Sequence, residues 1–201
     1  MENIIESNDT KPKFYVFLDI DACLWDMDFA WIRLGPFIEG APFPPLKTSS
    51  VTALNILLSS LNKIYDSQLV ITSHRRNDLK ACYDYLTKYG FTYYKPIFAT
   101  EYIEGPRDKK IFNFLQGSEG VTIRYSKLPF STKAFYPDSS KEFSNYVVLD
   151  CTQTHSINNI PLKRLILSNH NKKSLTTEQI INFLKRTKIP VSTVLDYPQK
   201  Q

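Results

Sequence analysis

A chain of 201 residues with 42% hydrophobic and 13% aromatic content can bury a sizeable core in one domain, and is too apolar for a disordered segment. Its net charge of +5 suits phosphorylated or nucleic-acid partners without requiring them, and a solvated basic face explains it as well. No apolar run approaches the roughly 18 residues needed to cross a bilayer, which argues against a helical membrane protein. The opening Met1–Asp9 is acidic and lacks the basic-then-apolar pattern of a secretory leader. The expected compartment is therefore the cytoplasm, or the host cytosol if a pathogen or virus encodes the chain. Cys23, Cys82 and Cys151 show no C-x-x-C spacing, and their odd number points to thiols rather than to a disulfide or zinc framework.

Residues 1–13 read as a flexible lead-in. Phe14-Tyr15-Val16-Phe17-Leu18 is a continuous apolar run, the signature of a strand buried on both faces. Residues 26–47 carry Trp31, Phe37 and Phe43 among Pro36, Pro42, Pro44 and Pro45, so they predict a structured loop, either a small lid or a satellite packing cluster. Thr48, Ser49 and Ser50 offer N-caps for a helix with Leu54, Leu57, Leu58 and Leu61 on one face. Leu69-Val70-Ile71 predicts a second buried strand ending in Thr72-Ser73-His74-Arg75. A helix over 77–89 is closed by Gly90, and Pro96–Ala99 reads as a short strand. Asp108 can cap a helix holding Ile111, Phe112 and Leu115, which Gly117 ends. Val121–Tyr125 can form a strand inside an otherwise loop-like 118–145. Tyr146–Leu149 runs apolar into Asp150, Leu162–Leu167 predicts a further strand, and Thr176–Gln179 opens a last helix. Strands alternating with helices predict an α/β fold with a mainly parallel sheet flanked by helices.

Three of these strands end in polar groups: Asp19 with Asp21, Thr72 with Ser73, and Asp150. In a parallel sheet the C-terminal ends lie side by side, where such folds place their chemistry. Two close carboxylates repel unless a cation offsets them, and Mg²⁺ favours carboxylate oxygens. One carboxylate can attack phosphorus, a second can protonate the leaving oxygen, and a hydroxyl with a cation can hold the phosphoryl oxygens. Thr72 and Ser73 both qualify for the hydroxyl, and Arg107, Lys109 and Lys110 for the cation. The alternative for each is ordinary: strand-end caps, loop aspartates and a solvated basic turn.

With these residues in place, the chain resembles the haloacid dehalogenase-like superfamily, whose members are mostly phosphohydrolases. Asp19-Ile20-Asp21-Ala22-Cys23 is similar to its first motif, Leu69–Ser73 to its second and Val147–Asp150 to its fourth. Leu54-Asn55, Thr72-Ser73-His74-Arg75, Arg107 to Ile111 and Ser174-Leu175-Thr176 resemble the small-cap branch found in or near RNA-repair proteins. The resemblance implies a Rossmann-like three-layer sandwich over 14–190, a minimal cap at 26–47 and a tail over 191–201. It implies Asp19 as nucleophile, Asp21 as general acid/base and, by the Ser-x-Arg pattern that favours Ser73 over Thr72, Ser73 as the hydroxyl that holds a phosphoryl oxygen. Mg²⁺ is then held by Asp19, Asp21 through its backbone carbonyl, and Asp150. The substrate is a phosphate ester: a small molecule, a nucleic-acid end or a phosphoprotein. The chain departs from the pattern at Cys23 and at Ala22, and at Cys151 and Thr152–Thr154, where further acids are expected. Those departures keep open an inactive, haloacid dehalogenase-like binding or scaffold protein. The basic run Lys172, Lys173, Lys185, Arg186 and Lys188 leaves nucleic-acid binding open as well. His155 reads as an ordinary loop histidine, and Cys23 and Cys151 read first as two small buried hydrophobes, with a place near one another at the site as the alternative.

Overall fold

The computed structural model describes residues 11–21, 23–25, 45–100, 106–116, 145–151, 157, 159–168 and 174–192. Along the chain run β1 (Lys13–Leu18), α1 (Thr48–Asn62), β2 (Asp66–Ile71), α2 (Leu79–Lys88) and β3 (Ile97–Ala99). They are followed by α3 (Arg107–Gln116), β4 (Tyr146–Cys151), β5 (Leu165–Ser168) and α4 (Thr177–Arg186). The strands form one sheet in the order β3-β2-β1-β4-β5, and every pairing is parallel. This is an α/β, Rossmann-like three-layer fold. The chain builds outward from β1 to β3 on one side, then returns to build β4 and β5 on the other. The strand order therefore reverses between β1 and β4, the place where open α/β sheets form their crevice.

The pleat sorts the core into two layers, because alternate residues of a strand face opposite ways. Phe14, Val16 and Leu18 of β1 join Leu69, Ile71, Val147 and Leu149 under α1, α2 and α4. Tyr15 and Phe17 join Val70, Tyr146 and Val148 under α3, through Ile111 and Leu115. Burial on both faces explains why the central strands read as unbroken apolar runs.

Local chemistry sets the element ends. Asp78 caps α2 by accepting from the Ala81 N–H at 2.8 Å. Gly90, at φ +90°, closes it: its N–H donates to the Thr87 carbonyl, and that of Phe91 to the Leu86 carbonyl. Thr176 and Gln179 form a reciprocal capping box on α4. Asn55 ties α1 to the turn after α2, its Nδ2 donating to the Gly90 carbonyl at 2.8 Å and its Oδ1 accepting from the Thr92 N–H at 3.2 Å. The last strand starts later than the apolar run suggests. Leu162–Arg164 forms a 3₁₀ turn, Leu162 is 79% exposed, and pairing with β4 begins at Leu165. The helix expected from 77 starts at Leu79, after a 3₁₀ turn over His74–Asn77. Asp108 lies in the first turn of α3 and accepts from Asn159, through its N–H at 3.2 Å and its side-chain amide at 2.7 Å. The lid segment up to residue 44, the strand proposed at 121–125, Gly117, His155 and the lead-in up to residue 10 lie outside the described residues.

Candidate active site

The sheet register brings three polar side chains level. Leu18 pairs with Ile71 on one side and with Leu149 on the other. One residue further on, the ladder continues: the Thr72 N–H donates to the Leu18 carbonyl and the Asp19 N–H to the Leu149 carbonyl, both at 2.9 Å. Asp19, Thr72 and Asp150 therefore sit side by side at the C-terminal edge, next to the point where strand order reverses. Asp19 continues the pleat phase of Tyr15 and Phe17, and Asp150 that of Tyr146 and Val148. Both acids thus fall on the α3 side of the sheet.

Helix α3 meets them with its first residue. Arg107 Nη1 donates to Asp19 Oδ2 at 2.9 Å and to Asp150 Oδ2 at 2.5 Å. All three groups are buried, at 3% exposure for Asp19, 0% for Asp150 and 8% for Arg107. Burial pushes the Asp19 carboxyl well above the ordinary carboxylate range. The Arg107 guanidinium pulls it back, while Asp150 and Asp21 add to the rise. Burial also works against the Arg107 charge, but the attraction of the two acids outweighs it and its pKa is raised. Asp150 Oδ1 accepts from the Cys151 N–H at 2.6 Å. Asp19 Oδ1 is buried and has no hydrogen-bond partner among the described residues.

The second pair is Asp21 with Ser73. Ser73 Oγ donates to Asp21 Oδ2 at 2.6 Å, which holds that half-buried carboxylate beside the crevice. The Ser73 hydroxyl is thereby engaged, whereas Thr72 Oγ1 is buried with no hydrogen-bond partner among the described residues. The resemblance favours Ser73 for the phosphoryl contact, whereas its bond to Asp21 leaves Thr72 as the hydroxyl with unused capacity among the described residues. Arg76, which the sequence reading passed over, is 3% exposed and braces the same turn. Its Nη1 donates to the Ser73 carbonyl at 2.9 Å and reaches the Thr72 carbonyl at 3.4 Å. It sits in a 3₁₀ turn with no helical or strand period, so its burial leaves no pattern in the sequence.

The three basic candidates separate. Arg107 is part of the acid cluster. Lys110 is half-buried, and burial lowers its pKa, with the nearby Arg76 and Arg107 charges adding to the effect. Lys109 is exposed on α3, its backbone N–H bonded to Asp108 at 2.7 Å. His74 and Arg75 lie in the 3₁₀ turn. Cys23 and Cys151 are neighbours, as their positions in the sequence suggested. Burial raises the Cys23 pKa most, and Asp19, Asp150 and Cys151 raise it further. The Ser168 hydroxyl lies 3.7 Å from Cys23 Sγ and 3.3 Å from the Asp150 carbonyl.

A cation suits this arrangement. Asp19, Asp150 and Cys151 each place one potential ligand atom within 4.8 Å of the others, and all three residues are buried. Arg107 bridges Asp19 and Asp150, and Asp19 Oδ1 has no hydrogen-bond donor among the described residues. A buried carboxylate oxygen left without a donor is costly, and a cation would offset that cost at Asp19. The Asp21 carboxylate is not part of this cluster among the described residues. No protein-family profile, curated protein or solved structure matches the chain.

Proposed function

We propose that the chain is a haloacid dehalogenase-like phosphohydrolase that works through an aspartyl-phosphate. The observation that carries this reading is the state of Asp19. One of its oxygens is fixed by Arg107, the other has no hydrogen-bond partner among the described residues, and Asp21 waits two residues away on the Ser73 hydroxyl. Asp19 Oδ1 attacks the phosphoryl group. Asp21 donates a proton to the leaving oxygen, then takes one from the water that hydrolyses the acyl phosphate. Thr72 and Arg107 hold phosphoryl oxygens, and Lys110, in the first turn of α3 and close enough to feel the Arg76 and Arg107 charges, adds positive charge. Ser73 keeps Asp21 in position.

The metal implied is Mg²⁺, which Asp19, Asp150 and the Asp21 carbonyl would hold. It would supply positive charge to offset the phosphoryl oxygens and favour the ionised form of Asp19. The substrate is a phosphate ester, whether small molecule, nucleic-acid end or phosphoprotein. The cytosol fits the three thiols, since no disulfide forms among the described residues. No described helix is long and apolar enough to cross a membrane.

Hydrolysis of an aryl phosphate with and without Mg²⁺ tests the reading. Turnover is expected to require the metal and to fall roughly a thousandfold or more in Asp19→Asn, the scale of losing a nucleophile. Metal-independent turnover, or an active Asp19→Asn protein, contradicts it. One observation favours a scaffold instead: Arg107 and the Cys151 N–H already satisfy both Asp150 oxygens. Calorimetry separates the two, because a scaffold binds no Mg²⁺.

A further inference from the structure

We infer that Asp19, Asp150 and Cys151 form a site for a thiophilic divalent cation of the Zn²⁺ class, which competes with Mg²⁺ for the Asp19 carboxylate. The competition rests on the phosphohydrolase reading, whereas the donor set itself does not. Mg²⁺ demands six oxygens in near-octahedral geometry and has little affinity for sulfur. Zn²⁺ accepts thiolate and carboxylate together in a tetrahedron, with bonds of about 2.3 Å to sulfur and about 2.0–2.2 Å to oxygen. At the tetrahedral angle two such ligands stand about 3.4–3.6 Å apart. The three ligand atoms here lie within 4.8 Å of one another, so side-chain rotations that bring them closer by up to about 1.4 Å complete the set.

Two features make this more than a chance gathering of acids. The cluster is buried, and Asp19 Oδ1 lies in it with no hydrogen-bond partner among the described residues. The sheet also fixes it in place: Asp19 and Asp150 end adjacent strands, and Cys151 is paired with Ser168 of β5. Coordination deprotonates the Cys151 thiol and releases its proton to solvent, so binding strengthens as pH rises. The fourth position of the tetrahedron is left to water. An ion bound this way ties up the oxygen that attacks phosphorus.

Co²⁺ reports such a site without any need for turnover, because a thiolate ligand gives an intense near-ultraviolet charge-transfer band. The full chain, stripped of metal by chelation, is titrated with Co²⁺. A band saturating at one ion per chain is expected, bleached by Zn²⁺ and shifted to higher Co²⁺ concentration by excess Mg²⁺. Cys151→Ser is expected to abolish the band, Cys23→Ser to keep it, and Asp19→Asn to weaken Co²⁺ binding at least tenfold. No band in the wild-type chain overturns the inference, as does a band that survives Cys151→Ser, one that is lost in Cys23→Ser, or one indifferent to Mg²⁺. A chain that shows the band and hydrolyses no phosphate keeps the site and overturns the phosphohydrolase reading alone.

Discussion

Moving a carboxylate out of water raises its pKa, because the charged form loses hydration that the neutral form needs less. At Asp19 burial is the largest influence, and the guanidinium beside it only partly offsets the rise. The consequence for stability has a definite sign. In the unfolded chain the group titrates near 3.9. In the folded chain it titrates higher, so between the two values the folded state holds a proton that the unfolded state has lost. Stability from this group is present at low pH and declines as pH rises through that window. Without divalent cations, this group is therefore expected to lower the melting temperature as pH rises above about 4. Asp19→Asn, which cannot ionise, should flatten that slope, and thermal melts of the two proteins with chelator across the range check it. Parallel pH profiles would contradict the Asp19 electrostatics. At this scale the acids were legible because each ends an apolar run. The choice among Arg107, Lys109 and Lys110 was not, since it depends on which side chain the first turn of α3 swings toward β1 and β4. Nor was the division of labour between Thr72 and Ser73, which turns on one hydrogen bond to Asp21.

Helices α2 and α4 end on the same device, and it carries different residues. After α2 the left-handed position is Gly90, where a Cβ would meet nothing within 4 Å. After α4 the same pair of closing bonds forms, the Lys188 N–H donating to the Lys185 carbonyl and the Ile189 N–H to the Leu184 carbonyl. Here Lys188 takes φ +58°. A left-handed conformation costs a residue with a Cβ about 1–2 kcal/mol, and glycine almost nothing. Lys188→Gly is therefore expected to stabilise the protein by about 1 kcal/mol, or about 2–4 °C in melting temperature for a chain of this size. A lower melting temperature would show that the lysine side chain contributes more than its backbone costs. Gly90 was readable as a helix stop because glycine announces the conformation. Lys188 gave no such signal. The early start assigned to β5 has a related cause: Leu162 is apolar yet 79% exposed, so hydrophobicity alone extends the strand past the first residue that pairs.

For the molecule as a whole, the sheet both supports the site and pays for its charges. Two core layers, one under α1, α2 and α4 and the other under α3, hold β1 between β2 and β4. That alternation of strands and helices made the fold class readable. Sheet order was less so, because nothing local in β4 says it returns to pair with β1 rather than extending beyond β3. A cation that binds the acid cluster only in the folded state must stabilise the whole chain. At a hundredfold excess over its dissociation constant the gain is about 2.7 kcal/mol. Mg²⁺ is therefore expected to raise the melting temperature by about 5–10 °C, and Asp150→Asn to remove most of that rise. An equal rise in the variant would place the ion elsewhere.

The central claim is that Asp19 is a nucleophile toward phosphorus, and it can be tested without knowing the substrate. Beryllofluoride adds to a reactive aspartate as a stable mimic of the acyl phosphate, and fluorine NMR distinguishes the bound species from the free one. With Mg²⁺ present, the wild-type chain is expected to show a bound fluorine signal that disappears in Asp19→Asn and without the metal. A chain that shows no bound signal, or an Asp19→Asn variant that keeps it, would contradict the claim.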